Sequence, residues 1–224
     1  MNNDAAANAN SNANTNIDFW EKVLQNPSPV YAQLFKDEKE FLLAQIPKDS
    51  YVLDIGCGDG RNIENMLPAT KNIVGLDNDP KAVEDAKKRL ADIPSVQIVQ
   101  GSAFDLFFDD ETFDVVILMV ALGNFEDMKA TALGEMKRVM KKGGKVLMSV
   151  YSENAYDERM KMYKSLGAPI VDSDGSKVVF DGLVGSRVSE QFSKEEIMAL
   201  AKEAGLTVST FQISGDFAYL CVLQ

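Results

Sequence analysis

The stretch "FDVVILMVA", residues 113–121, is apolar on both of the faces between which a β-strand alternates. Such a strand is stable only in the middle of a sheet covered on both sides, as a parallel strand is when helices flank it. The surrounding sequence supplies those neighbours. Strand patterns at 51–55, 72–77, 96–100 and 145–150 alternate with helical patterns at about 60–67, 80–91 and 127–141, the rhythm of an α/β, doubly wound parallel sheet. Asp79 stands where it caps the helix at 80, with Pro80 at the first helical position. The helix at 127–141 runs into "KKGG", where cations meet its negative end and Gly143 or Gly144 is free to turn left-handed.

The two flanks depart from this rhythm. "MNNDAAANANSNANTN" (1–16) has nothing large to bury and is read as a disordered tail. Helical spacing follows in "IDFWEKVLQN" and again in "VYAQLFKDEKEFLLAQI", which places Leu34, Glu38, Phe41, Leu42 and Ile46 in period before Pro47 ends it. After a helix at about 153–166, the glycines and short apolar runs of 168–192 predict a hairpin-like insertion. "SKEEIMALAKEAG" is a helix opened by the Ser193/Glu196 capping box and closed by Gly205. "LTVSTFQI" and "FAYLCVL", joined by "SGD", then pair antiparallel. One domain over 17–224 is expected.

The charge balance narrows the function. With 23 Lys plus Arg against 34 Asp plus Glu, the formal charge of −11 is the wrong sign for holding nucleic acid or an anionic membrane. There is no histidine, which removes imidazole as base or metal ligand, and Cys57 and Cys221 alone make neither a disulfide framework nor a metal site. No signal peptide and no apolar run of about twenty residues is present. A cytoplasmic protein without a bound metal is expected, of unknown oligomeric state.

"YVLDIGCGDGRN" holds the strongest chemical signal. The first strand stops at Ile55 and turns through Gly56, Gly58 and Gly60, which lets backbone come close to a ligand at a helix N-terminus. The dinucleotide fingerprint would need glycine at 61, where this chain has Arg61. Asp77 ends the next strand 17 residues beyond Gly60, where a carboxylate can accept both hydroxyls of a ribose. The bland alternatives are a tight structural turn for the glycines and a helix cap for Asp77.

With "VLDIGCGDG", "GLDND", "VQGSAFDL", "FDVVILMVALGNF" and "MKRVMKKGGKVLMSVYS" in that order, the chain resembles the class I S-adenosylmethionine-dependent methyltransferases over roughly residues 50–150. The resemblance implies a Rossmann-like sheet, mostly parallel with an antiparallel C-terminal strand, and S-adenosyl-L-methionine as cofactor. It implies that Gly56, Cys57 and Gly58 line the methionine part with Asp54 supporting the loop, that Asp77 holds the ribose, and that Asn78 lies beside the adenine. Ser102 and Ala103 match the adenine contact after the third strand, although many members carry an acidic residue where this chain has Ser102. Met119 and Val120 lead toward the cofactor and put Asn124 nearest the transferred methyl. Arg61 either pairs with the methionine carboxylate or is solvated, and Cys57 reads first as a small packing residue.

Members acting on nucleobase amino groups resemble one another in a Pro-Pro-aromatic turn after the fourth strand; here that place reads "ALGNFED". A small-molecule methyl acceptor is therefore expected, with tRNA or protein methylation, or a non-catalytic cofactor-binding partner protein, as alternatives. Asn124 and Tyr31 are the catalytic candidates, Phe125 a wall, and residues 17–47, with Trp20 and Tyr31, a helical lid. Asn124 is otherwise a loop turn and Trp20 and Tyr31 plain packing. Residues 168–192, holding Phe180, Arg187, Glu190 and Phe192, form the substrate side, with Tyr151 and Tyr156 on the cofactor side of the sheet. The basic run "KRVMKKGGK" is either a phosphate patch or a charged helix end.

Overall fold

The computed structural model describes residues 22–181 and 187–224, so the tail at 1–16 and Trp20 lie outside the described residues. Helix α1 (Pro29–Gln45) precedes strand β1 (Val52–Ile55), which is followed by α2 (Arg61–Met66), β2 (Ile73–Asp77), α3 (Pro80–Arg89) and β3 (Val96–Gln100). Then come β4 (Phe113–Met119), α4 (Lys129–Val139) and β5 (Met140–Tyr151). Helix α5 (Tyr156–Ser165), strands β6 (Ile170–Ser173), β7 (Lys177–Phe180) and β8 (Val188–Glu190), helix α6 (Lys194–Glu203), and strands β9 (Val208–Ser214) and β10 (Ala218–Leu223) complete the chain.

The main sheet has the order β3-β2-β1-β4-β5-β10-β9. Strands β1 to β5 run parallel, and β10 is antiparallel to both β5 and β9. The central strand β4 explains the two layers. Its Val115, Ile117 and Met119 enter the apolar cluster shared with α1, α2, α3 and α5. Phe113, Val116 and Leu118 enter the opposite cluster with α4 and α6. Each fully buried side chain of this size contributes about 1.5–3 kcal/mol of burial, so a strand apolar on both faces is satisfied only here.

Local signals account for most of the element ends. The Asp79 side chain accepts from the Lys81 N–H at 2.8 Å, with Pro80 beginning α3. The Ser193/Glu196 capping box is formed at α6. The "KKGG" stretch differs from the helix end expected there. Helix α4 stops at Val139, and Met140 already pairs with Phe113 of β4 before the register shifts to Val115 opposite Lys145. Gly143 takes the left-handed conformation (φ 78°), and a Cβ on Gly144 would lie 2.8 Å from the Asp114 carbonyl oxygen. The glycines thus make a bulge inside a strand. The cations around it are held by acids: Arg138 by Glu135 and Asp110, Lys141 by Asp114, Lys142 by Glu111. That pairing favours the solvated reading of the basic run over a phosphate patch.

Helix α1 is pinned across the sheet at three points along its length. Asp37 accepts from Ser214 Oγ (2.7 Å), Glu38 from Ser149 Oγ (2.6 Å), and the Gln45 carbonyl from Lys145 Nζ (2.9 Å). The segment after α5 forms a separate antiparallel sheet, β6-β7-β8, in agreement with the hairpin expected there. It is seated over the turn after β4, because a Cβ on Gly123 would lie 2.5 Å from the Glu190 carbonyl oxygen and 2.9 Å from its nitrogen. Among the described residues, no helix is long and apolar enough to cross a membrane. Since backbone cannot yield as a side-chain tip can, we expect Gly123→Ala to lower stability by about 1–3 kcal/mol. Thermal unfolding measures it, and an unchanged midpoint would show that β8 is free to move off the turn.

Candidate active site

The glycine turn begins where β1 ends. Gly56, Gly58 and Gly60 all take positive φ (68°, 55° and 85°), a conformation that only glycine adopts without strain. The Gly56 and Cys57 N–H groups both donate to the Leu76 carbonyl (2.8 and 3.1 Å), which fixes the turn against the end of β2. Gly58 donates to Asp77 Oδ2 at 2.9 Å, and Asp77 Oδ1 accepts from the Asp79 N–H at 2.9 Å. Asp79 therefore caps α3, and Asp77 braces the turn with its carboxylate directed at the strand ends. Gly60 has a packing reason, since a Cβ would lie 2.8 Å from Leu90 Cδ1, whereas a Cβ on Gly58 would meet open space.

That space is part of a cavity of about 950 Å³ running along the C-terminal ends of β1, β2 and β4. Gly56, Cys57, Gly58, Arg61, Asp77, Asn78, Ser102, Ala103 and Met119 line one part of it, and Tyr31, Asn124 and Phe125 also face it. Asn124 ends the 3-10 turn Leu122–Asn124 and is partly buried. Ser102 Oγ accepts from the Phe104 N–H (3.1 Å), which holds the exit of β3. Val120, next to Met119, carries a strained φ of 50° and is held by Ser149, whose carbonyl and Oγ accept its N–H at 3.0 and 2.9 Å. Asp54 does not reach the cavity: it is 1% exposed beneath the turn, and its Oδ2 has no hydrogen-bond partner.

Burial raises the Cys57 thiol far above its ordinary range, leaving it protonated and inert as a nucleophile, which fits the packing reading. Burial also raises the Tyr31 and Tyr151 phenols, so both keep their protons near neutral pH, with Tyr31 Oη 3.3 Å from Tyr151 Oη. Among the remaining candidates, Tyr151, Phe180 and Arg187 line the cavity. Tyr156 instead bonds Ser173 (2.7 Å), Glu190 pairs with Lys129 and Lys177, and Phe192 packs in the second apolar cluster.

Glu38 is the residue that sequence reasoning passed over. It is fully buried, lines the cavity, and lies 3.6 Å from the Arg61 guanidinium, which also sits 4.5 Å from the Phe35 ring centroid. A carboxylate on the apolar stripe of α1 was the available signal. Burial raises its pKa against the pull of Arg61 and Ser149. Tyr163 and Ser189 also line the cavity and were not anticipated.

Comparison with known proteins agrees with this geometry. Residues 53–148 match the family described as "Methyltransferase domain". The matched stretch runs from β1 into β5 and includes the glycine turn and Asp77. The demethylmenaquinone methyltransferase of Bacillus licheniformis is 31% identical over 137 residues, 57% of this chain and 59% of that protein, so the chain spans about three fifths of that relative's length. The crystal structure of the PH0226 protein from Pyrococcus horikoshii has 25% identity and a TM-score of 0.69, covering 88% of this chain and 92% of that one. The fold is also that of a Burkholderia thailandensis 1,6-didemethyltoxoflavin-N1-methyltransferase (16% identity, TM-score 0.65, 92% and 85% covered), solved with 1,6-didemethyltoxoflavin and S-adenosylhomocysteine.

The domain's acids make its stability depend on pH. Burial, and after it the nearby Asp77 charge, raises Asp54 from 3.8 to about 7. A carboxyl whose folded pKa lies above its unfolded one stabilises the fold fully below the unfolded value and loses that contribution as pH rises through the folded value. The window here runs from about pH 4 to about pH 7. Asp54→Asn, which removes the charge and keeps the shape, should therefore stabilise the protein at pH 8 by about 1–3 kcal/mol and have a smaller effect at pH 5. Thermal unfolding at both values checks this, and an equal effect at both would refute the assignment.

Proposed function

We propose that this protein transfers the methyl group of S-adenosylmethionine to a small-molecule acceptor, at oxygen, nitrogen, sulfur or an activated carbon, in the cytoplasm. The observation that carries this reading is the Asp77 carboxylate, locked against the glycine turn and opening into a cavity at the upper end of the roughly 300–1,000 Å³ found for small-molecule sites. Such a volume accommodates a cofactor with an acceptor beside it. The residues fit the cofactor on two counts: open space over Gly58, and carboxylate oxygens at the end of β2 that face the cavity. The named activity of one relative on demethylmenaquinone, and the 1,6-didemethyltoxoflavin bound to another, support a small ring compound as the acceptor class.

When bound, S-adenosylmethionine supplies an electrophilic methyl on a positively charged sulfur. In-line displacement then asks the protein for alignment and exclusion of water more than for a strong base. Gly56 and Gly58 would admit the amino-acid end, Asp77 would accept from the ribose hydroxyls, and Asn78, Ser102 and Ala103 would border the adenine. Met119 and the strained Val120 would set the floor beneath the sulfur. Asn124 would orient the acceptor, with Tyr31 as an O–H donor and Phe125 as wall. Residues 17–47 would act as the lid, α1 being its anchored part, and 168–192 would cover the acceptor.

Asp77→Ala should weaken S-adenosylmethionine and S-adenosylhomocysteine binding by about 1–3 kcal/mol in calorimetry. Asn124→Ala should leave both affinities within a factor of about two while lowering kcat about tenfold or more. An Asp77→Ala protein with unchanged affinity would remove the carboxylate from the cofactor site.

A further inference from the structure

One wall of the cavity is formed by Tyr31, Tyr151, Tyr163, Phe180 and Ser189, and the exposed Arg187 also lines it. Directly behind this wall α5 places Arg159, which is 0% exposed. Its guanidinium donates to Ser189 O (2.6 Å), Ser189 Oγ (2.8 Å), Gln191 Oε1 (2.8 Å) and Ser176 O (3.4 Å). It lies 4.8 Å from the Tyr151 ring centroid and 5.8 Å from that of Tyr163. All of these partners are neutral. Among the described residues no carboxylate forms an ion pair with it, and the glutamates of α5, of β8 and of the turn before α5 are engaged elsewhere. Glu190 is held by Lys129 and Lys177, Glu158 by Lys161, and Glu153 by the Tyr219 hydroxyl.

A buried cation without a counter-charge is costly, and its field is weakly screened in a low-dielectric interior. That field reaches the cavity through Ser189, whose Oγ accepts from both Arg159 and Tyr163 (2.8 Å each). Beside the glycine turn, Glu38 is paired with Arg61, and the Asp77 carboxylate faces the cavity. The cavity therefore carries an acid where the cofactor belongs and a cationic wall where the acceptor belongs.

We infer that the acceptor is a planar phenol or enol that binds as its oxygen anion between the aromatic walls, with Arg159 supplying the positive potential through Ser189 and Tyr163 and Arg187 adding to it. The inference rests on the methyltransferase reading above and narrows its substrate class. In the transfer, the acceptor hydroxyl first gives its proton to solvent. The anion's electron pair, on oxygen or on a conjugated ring carbon, forms the bond to the methyl carbon, and the carbon–sulfur bond breaks with its pair left on sulfur. If carbon is methylated, its hydrogen leaves as a proton. Opposite charges are consumed together, so this cavity favours reactants over products and promotes release.

The test uses 4-nitrophenol, whose anion is coloured, added to the full chain saturated with S-adenosylhomocysteine. The bound probe should stay ionised about one pH unit below its free pKa, and 4-nitroanisole, which cannot ionise, should bind about tenfold more weakly. Arg159→Gln should abolish the pKa shift and weaken the probe about tenfold while leaving S-adenosylhomocysteine affinity within about twofold, and Arg159→Lys should restore part of both. Because Arg159 also ties α5 to β8, the exposed Arg187→Gln serves as the variant with least risk to folding, with a loss of about threefold expected. A probe bound as the neutral phenol, or no tighter than 4-nitroanisole, or not bound at all while S-adenosylhomocysteine binds, would overturn the inference and leave the methyltransferase reading standing. Failure of S-adenosylhomocysteine itself to bind would overturn both.

Discussion

The hydrogen bond from the Gly58 N–H to the Asp77 carboxylate joins two features that hold each other in shape. The glycine turn is left-handed at three positions, and beyond the tie of Asp59 to Arg89 its conformation is set by what its N–H groups reach. They reach the end of β2: Gly56 and Cys57 at the Leu76 carbonyl, Gly58 at Asp77. In turn, Asp77 is kept from acting as a helix cap because Asp79 does so. The ends of β1 and β2 thereby share one rigid rim, and every other wall of the cavity is positioned relative to it.

The rest of the structure is positioned by buried polar contacts. Helix α1 crosses the sheet and brings Glu38 to Arg61, where it also accepts from Ser149, the same residue whose backbone and hydroxyl hold Val120 in its strained conformation. The small sheet after α5 rests on Gly123, with Arg159 as the buried post between α5 and β8. Helix α1, the strained strand exit and the small sheet are thus linked by a few polar bonds inside an otherwise apolar core, a setting in which loss of one partner is costly.

Much of this was legible in the residue order. The two-sided apolar strand at 113–121, the Asp79-Pro80 cap, the Ser193/Glu196 box and the "SGD" connection act through local physics, so each was readable where it stands. The residues that line the cavity beside the glycine turn were readable because a turn and a strand end are defined by short spacing. The bulge at "KKGG" was not, since glycine after a cationic helix end looks the same whether the chain exits into a loop or pairs at once with a neighbour, as Met140 does with Phe113. Glu38 carried a signal, since it stands in the apolar period of its helix, but that period alone does not say what a buried carboxylate meets. Arg159 lies among charged neighbours that look like a solvated face, and only tertiary packing decides that it is buried.

The most direct test of the account is a parallel calorimetric titration of the purified protein with S-adenosylmethionine, S-adenosylhomocysteine and NAD. The account predicts that the two sulfur compounds bind with one site per chain and that NAD does not. Binding of NAD, or of neither sulfur compound, would contradict the assignment of the rim formed by Gly58 and Asp77 to an S-adenosylmethionine site.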